Sequence, residues 1–203
     1  MALDRRVERN QSLPISVPNV RNNKRKPAAK PRRTRTADEL QAAAVHVSYE
    51  IRMLVYSAGH LGAWHSSPME TPSGNEKNMA LESFLLHFRN LAAFLCPSIQ
   101  TCGPDDIIAS DFFDGRVTQY GDARQLSPDP RRIHRMLAHL SYSRRNYIAA
   151  GEHHWGIAEM LCPMLDHLRG FYADLPAGMA LWFPPPSVLD EARSKAMLFL
   201  RAE

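Results

Sequence analysis

Apolar residues recur along much of the chain at alternating steps of four and three, the spacing of one helix face. Leu40, Ala44, Val47, Ile51, Leu54, Ala58 and Leu61 form the longest such series. They predict a helix of about 25 residues, with Thr36 as N-cap and Glu39 three residues on to complete a capping box. Leu81, Leu85, Phe88, Ala92 and Leu95 predict a second helix, with Pro97 beyond its end. Residues 62–78 between them are polar, contain Pro68, Pro72 and Gly74, and read as a long loop. Asp105–Phe113 reads as a short helix or a packed loop, and 115–128 as irregular chain. A third helix is expected from about Asp129 to Ala150, with Ile133, Leu137 and Leu140 facing inward. A fourth covers about His154–Leu175, where Pro163 predicts a kink or a break. Pro184-Pro185-Pro186 is a rigid stop before a short amphipathic helix over Val188–Leu200. Internal repeats and the alternation of strands are absent from the sequence. The expected fold class is therefore all-α, a helical bundle of about four main helices.

The pattern fails ahead of Thr36. Residues 1–36 carry four prolines and few apolar side chains, without a period. Nothing there offsets the entropy of ordering, so the expectation is a disordered basic tail, 1–36, before a bundle domain, 37–203. The formal charge of +4 then separates into two opposed parts. The first 36 residues hold 11 basic and 2 acidic side chains, a charge of +9, which leaves −5 on the remainder. Lys24, Arg25, Lys26, Lys30, Arg32, Arg33 and Arg35 are the candidate nucleic-acid-binding residues, because each cation that neutralises a phosphate adds salt-sensitive affinity. A basic targeting signal, a merely solvated tail, or sequence upstream of the true start are the competing readings.

Composition excludes several classes. The longest apolar runs, such as Leu91–Cys96, fall far below the roughly 20 residues of a membrane helix. No apolar core follows the N-terminal basic residues, so a secretory signal is not expected. Cys96, Cys102 and Cys162 are an odd set without a CxxC, which suits free thiols in a reducing, cytoplasmic compartment. Glycine-rich phosphate loops are absent, and no cofactor is expected.

The segment with most chemistry is 131–146. On a helix, Arg132, Arg135, His139, Tyr142 or Ser143, and Asn146 share one polar stripe opposite the apolar seam. An imidazole exchanges protons near neutral pH, and a guanidinium holds a phosphate in two hydrogen bonds. Together they are the parts for metal-free RNA cleavage, with His139 moving a proton and Arg132 clamping the phosphate. Arg135 and Tyr142 would support them. The competing reading is an ordinary solvent face.

Arg132-x6-His139 in a small helical bundle resembles the R-x4–6-H signature of HEPN domains. That resemblance implies a metal-independent ribonuclease of toxin or phage-defence type, acting on RNA as a homodimer whose two Arg/His sets face one site. Many such domains carry a polar residue after the arginine, where this chain has Ile133. Its Arg-Asn pair is Arg89-Asn90, with no histidine four to six residues later, so the pattern would have to be split between helices. The segments LESFLLHFRNLAAFL and AHLSYSR are also similar to those of bacterial helical proteins.

His87 and Arg89 are further supporting candidates. His87 lies between apolar rows and reads first as a partner in a helix-to-helix hydrogen bond. Arg89 is expected to pair with Glu82 or Glu50, or to hold a phosphate. His46, Glu50, His87 and His139 could surround a metal, yet the ExxH pairs of bundle metal sites are missing, so none is expected. The alternative to an enzyme is a non-catalytic helical interaction module, its −5 body binding a partner while the tail touches nucleic acid.

Overall fold

The computed structural model describes residues 33–66, 73–96, 103–113, 130–138 and 154–200, with 120, 126, 146 and 149–151. These residues are all-α. Helix α1 runs over Ala37–Ser66, α2 over Gly74–Leu95, α3 over Pro130–Ala138 and α4 over Ile157–Asp174. A short helix α5, Ala177–Ala180, precedes α6, Ser187–Leu200, and a 3-10 turn covers Ala109–Phe113. No strand occurs among the described residues.

Both long helices start where their local chemistry tells them to. Thr36 Oγ1 accepts from the Glu39 amide at 3.3 Å while the Glu39 carboxylate accepts from the Thr36 amide at 3.0 Å. Ser73 and Glu76 repeat this box at α2. Each box satisfies two amides that a helix start leaves unpaired. The second box corrects the boundary expected from hydrophobicity. The stretch read as loop to Asn78 is already helical from Gly74, and α1 continues to Ser66. The turn from Gly74 to Asn78 is polar because it faces water.

The four longer helices close a ring, since α1 packs on α2 and α6, α6 on α4, and α4 on α2. The α1 seam from Leu40 to Ala58 is 0–6 % exposed at Leu40, Ala44, Val47, Ile51, Leu54 and Ala58. That heptad-like series is thus consumed inside its own chain. Pro163 sits inside α4 without ending it. It removes one backbone bond, and the helix is held by Met160, Leu161, Met164, Leu165, Leu168 and Phe171, each no more than 2 % exposed.

One end of the ring is aromatic. Phe171 of α4 makes edge-to-face contacts with Phe94, Phe112, Phe113, Tyr120, Tyr172 and Phe183, at centroid distances of 5.1–6.0 Å. Such pairs add to the burial of the rings themselves. Tyr120 is pinned from three sides. Its amide donates to Leu95, its carbonyl accepts from Cys96 Sγ, and its hydroxyl donates to Asp174 at 3.1 Å. Burial, with that carboxylate beside it, pushes the Tyr120 phenol well above its ordinary range.

Candidate functional site

At the junction of α1, α2 and α3 the apolar interior gives way to a connected polar array. Glu50 projects from α1, His87, Arg89 and Asn90 from α2, and His134 from α3. His87 Nδ1 donates to Glu50 Oε2 at 2.7 Å, and Asn90 Nδ2 donates to the same oxygen at 3.1 Å. Arg89 Nη2 donates to Asn90 Oδ1 at 3.4 Å, and Arg89 Nη1 lies 3.3 Å from His134 Nδ1. The chain of contacts therefore runs His87–Glu50–Asn90–Arg89–His134.

Its two ends differ in environment. His87 is 5 % exposed, one of three buried polar residues among the described residues, with Ser48 and Ser57. The Tyr49 ring stands edge-on to it, 5.6 Å between centroids. Arg89 is half-buried and His134 is exposed. A guanidinium carries donors only, so Arg89 donates and His134 Nδ1 accepts, which puts the ring proton of His134 on Nε2. The Glu50 carboxylate fixes His87 the other way round, with its proton on Nδ1. The two Nδ1 atoms thus play opposite parts, that of His87 donating and that of His134 accepting.

Arg132 is placed differently from the sequence expectation. It leaves the polar stripe to donate from Nη2 to the His154 carbonyl at 2.8 Å, and its guanidinium lies 4.0 Å from the centre of the Trp155 ring. That pair of contacts ties α3 to the entry of α4. Arg135 is exposed on α3. His139 and Tyr142 lie outside the described residues, as do Lys24, Arg25, Lys26, Lys30 and Arg32 of the basic segment. Arg33 and Arg35 face the body. Arg33 grips the Glu39 carboxylate in two hydrogen bonds, one of 2.9 Å, and Arg35 donates to the Pro104 carbonyl. The Arg33 guanidinium and the Thr36 amide pull the Glu39 carboxyl down to about 2.

His87 makes the helix-to-helix hydrogen bond expected of it, whereas the partners of Arg89 are Asn90 and His134 rather than Glu50 or Glu82. The Arg89–His134 contact was missed because the residues are 45 positions apart, and only the crossing of α2 with α3 brings them together. The suggestion of an Arg/His pattern split between helices was the available signal. Among the described residues no group of three or more His, Cys, Asp or Glu side chains could hold a metal ion. His46 lines a cleft with Arg35, Asp105, Asp106 and Asp111. No helix of the described residues is long and apolar enough to cross a membrane. Comparison with family models, curated proteins and solved structures finds no match to the chain.

Proposed function

We propose that the chain is a metal-independent ribonuclease of HEPN-like type whose chemistry centres on Arg89 and His134 rather than on Arg132. The observation that carries this reading is the 3.3 Å contact between a half-buried guanidinium and an exposed imidazole, on the solvent side of a polar array in an apolar bundle. Arg89-Asn90 supplies the arginine with its following polar residue, and the histidine comes from the next helix.

The pair suits cleavage through the 2′-hydroxyl. An incoming phosphodiester draws the Arg89 donors onto its oxygens and frees His134 Nδ1 to accept the 2′-hydroxyl proton. The 2′-oxygen bonds to phosphorus, the bond to the 5′-oxygen breaks, and Arg89 offsets the charge on the phosphorane. The departing 5′-oxygen takes a proton from a second acid. His139, which the Arg-x6-His resemblance supplies, is the residue to test in that role. Glu50 and Asn90 position the array from behind.

The test is cleavage of single-stranded RNA by the full chain in excess chelator, with products analysed for 2′,3′-cyclic phosphate ends. Activity should fall at least about a hundredfold in Arg89→Ala and His134→Ala, and vanish on RNA carrying a 2′-deoxy sugar at the scissile position. Arg132→Lys, which keeps a cation at the α3–α4 contact, should retain most of it. Cleavage that survives both substitutions, or that chelation abolishes, refutes the proposal.

A further inference from the structure

From Tyr49 to Trp64 the solvent side of α1 is built largely of rings. Tyr49, Arg52, Tyr56, His60 and Trp64 follow one another at steps of three, four, four and four, which keeps them on one broad face about 22 Å long. Tyr49 and Tyr56 are 55 and 63 % exposed, Arg52 is exposed, and His60 and Trp64 are half-buried. The later rings touch in series. Tyr56 stands edge-on to His60 at 4.5 Å between centroids, and His60 lies 5.5 Å from Trp64. Each is braced by the next, so less freedom is left to lose when something binds. The water-facing side of a bundle helix ordinarily carries charged and polar residues. Several exposed aromatic side chains on one stripe instead mark a surface that meets something.

Two observations choose the occupant. The first is where the face begins. The Tyr49 ring contacts His87, the inner end of the array that leads through Glu50 and Asn90 to Arg89 and His134. The run of rings is therefore continuous with the proposed cleavage site. The second is charge. Although the chain beyond residue 36 carries −5, α1 has one acidic side chain between Gln41 and Trp64, Glu50, and its Oε2 accepts from His87 and Asn90. Arg52, the one Lys or Arg over that stretch, stands between the two tyrosines. Rings with a cation among them suit nucleobases and the phosphates that join them, since every base has a face to stack and a guanidinium pairs with phosphate oxygens.

We infer that the outer face of α1 is a stacking platform for single-stranded nucleic acid, with Tyr49, Tyr56 and Trp64 against bases and Arg52 against a phosphate. The choice of occupant rests on the reading of Arg89 and His134 as the cleaving pair, but stacking reads base faces and is indifferent to the 2′-hydroxyl. Single-stranded DNA therefore occupies the platform without being cut.

A short thymidine oligodeoxynucleotide reads the platform apart from the chemistry. The comparison strand has the same length and phosphates on abasic sugars. The basic segment 1–36 contains no aromatic side chain, so it meets the two strands alike. In fluorescence anisotropy the full chain should hold the thymidine strand at least about tenfold tighter than the abasic one, and Tyr56→Ser should weaken the thymidine strand at least about fivefold. Tyr56→Phe, which keeps the ring, should bind as the parent does, and so should Leu181→Ser, at a residue 86 % exposed off the face. These positions are exposed, so helical content and melting temperature should hold throughout. Equal affinity for the two strands, or a thymidine affinity indifferent to Tyr56→Ser, overturns the inference and leaves the face to a protein partner. A chain that cuts no RNA yet loses thymidine binding in Tyr56→Ser refutes the ribonuclease and upholds the platform. A chain that cuts RNA yet shows neither difference does the reverse.

Discussion

Removing the Glu50 side chain tests how the polar array is held. Both hydrogen bonds from α2, His87 Nδ1 at 2.7 Å and Asn90 Nδ2 at 3.1 Å, end on the single oxygen Oε2. Glu50→Gln with its amide oxygen in that position keeps both bonds and loses only the charge. A charge-assisted bond contributes about 1.5–3 kcal/mol and a neutral one about 0.5–1.5, so this change should cost roughly 1–2 kcal/mol. Glu50→Ala deletes the shared acceptor and leaves the His87 donor in a site 5 % exposed to water. An unsatisfied buried donor costs about 1–3 kcal/mol, and the more exposed Asn90 adds less, for roughly 2–4 kcal/mol in all. Urea unfolding followed by circular dichroism gives both numbers, and unchanged denaturant slopes would show a common unfolded state. In melting temperature the alanine variant should fall by roughly 4–16 °C. Equal losses in the two variants would mean that the charge, not the hydrogen bonds, organises the site. A loss in Glu50→Ala below about 0.5 kcal/mol would mean that His87 is held by its apolar surroundings and the array is incidental.

Phe171→Ala should be among the most damaging single changes, at about 3–5 kcal/mol, because the ring is fully buried among six aromatic neighbours. Calorimetry should show the loss, and Phe171→Leu should recover part of it. Arg132→Ala breaks the contacts to the His154 carbonyl and the Trp155 ring, so Trp155 emission should shift red while RNA cleavage persists; an unchanged spectrum would contradict the stacking. The Glu39 carboxyl, lowered from 4.5 to about 2, contributes stability to the start of α1 that is present above the unfolded value and lost as pH falls through the folded one. Amide exchange over residues 37–40 should therefore accelerate between about pH 4.5 and 2, and Glu39→Gln should abolish that dependence.

The fold was legible wherever one face of a helix carries the burial. The α1 seam repeats over several turns, and each buried position can be read without knowing what covers it. The start of α2 was not legible from hydrophobicity, because Gly74 to Asn78 face water and an apolar pattern is blind to an exposed turn. The pair Ser73 and Glu76 was the local signal there, as Thr36 and Glu39 were at α1. The candidate site was legible only in part. His87 falls among apolar rows, which implied a partner on another helix, and Glu50 is that partner. Arg132 and His134 lie two residues apart, yet α3 sends one toward Trp155 and the other toward Arg89. Which neighbour each meets depends on how α3 crosses α2 and the entry to α4, and crossing geometry has no short-range signature.

The adjacency of α1 and α6 sets a timetable for synthesis. Ser48 of α1 hydrogen-bonds the Trp182 carbonyl just ahead of α6, and Gly59 lies under Lys195. Among the described residues, that flank of α1 is therefore covered by α6, which is made after the other described helices. Until α6 has been made, α1 and α2 can form a hairpin, but the ring stays open along one side. The nascent chain then exposes apolar surface until α6 emerges, the condition in which chaperones engage a protein. A stop codon just before Ser187 should yield a product that aggregates or is degraded, although it would contain every residue of the polar array.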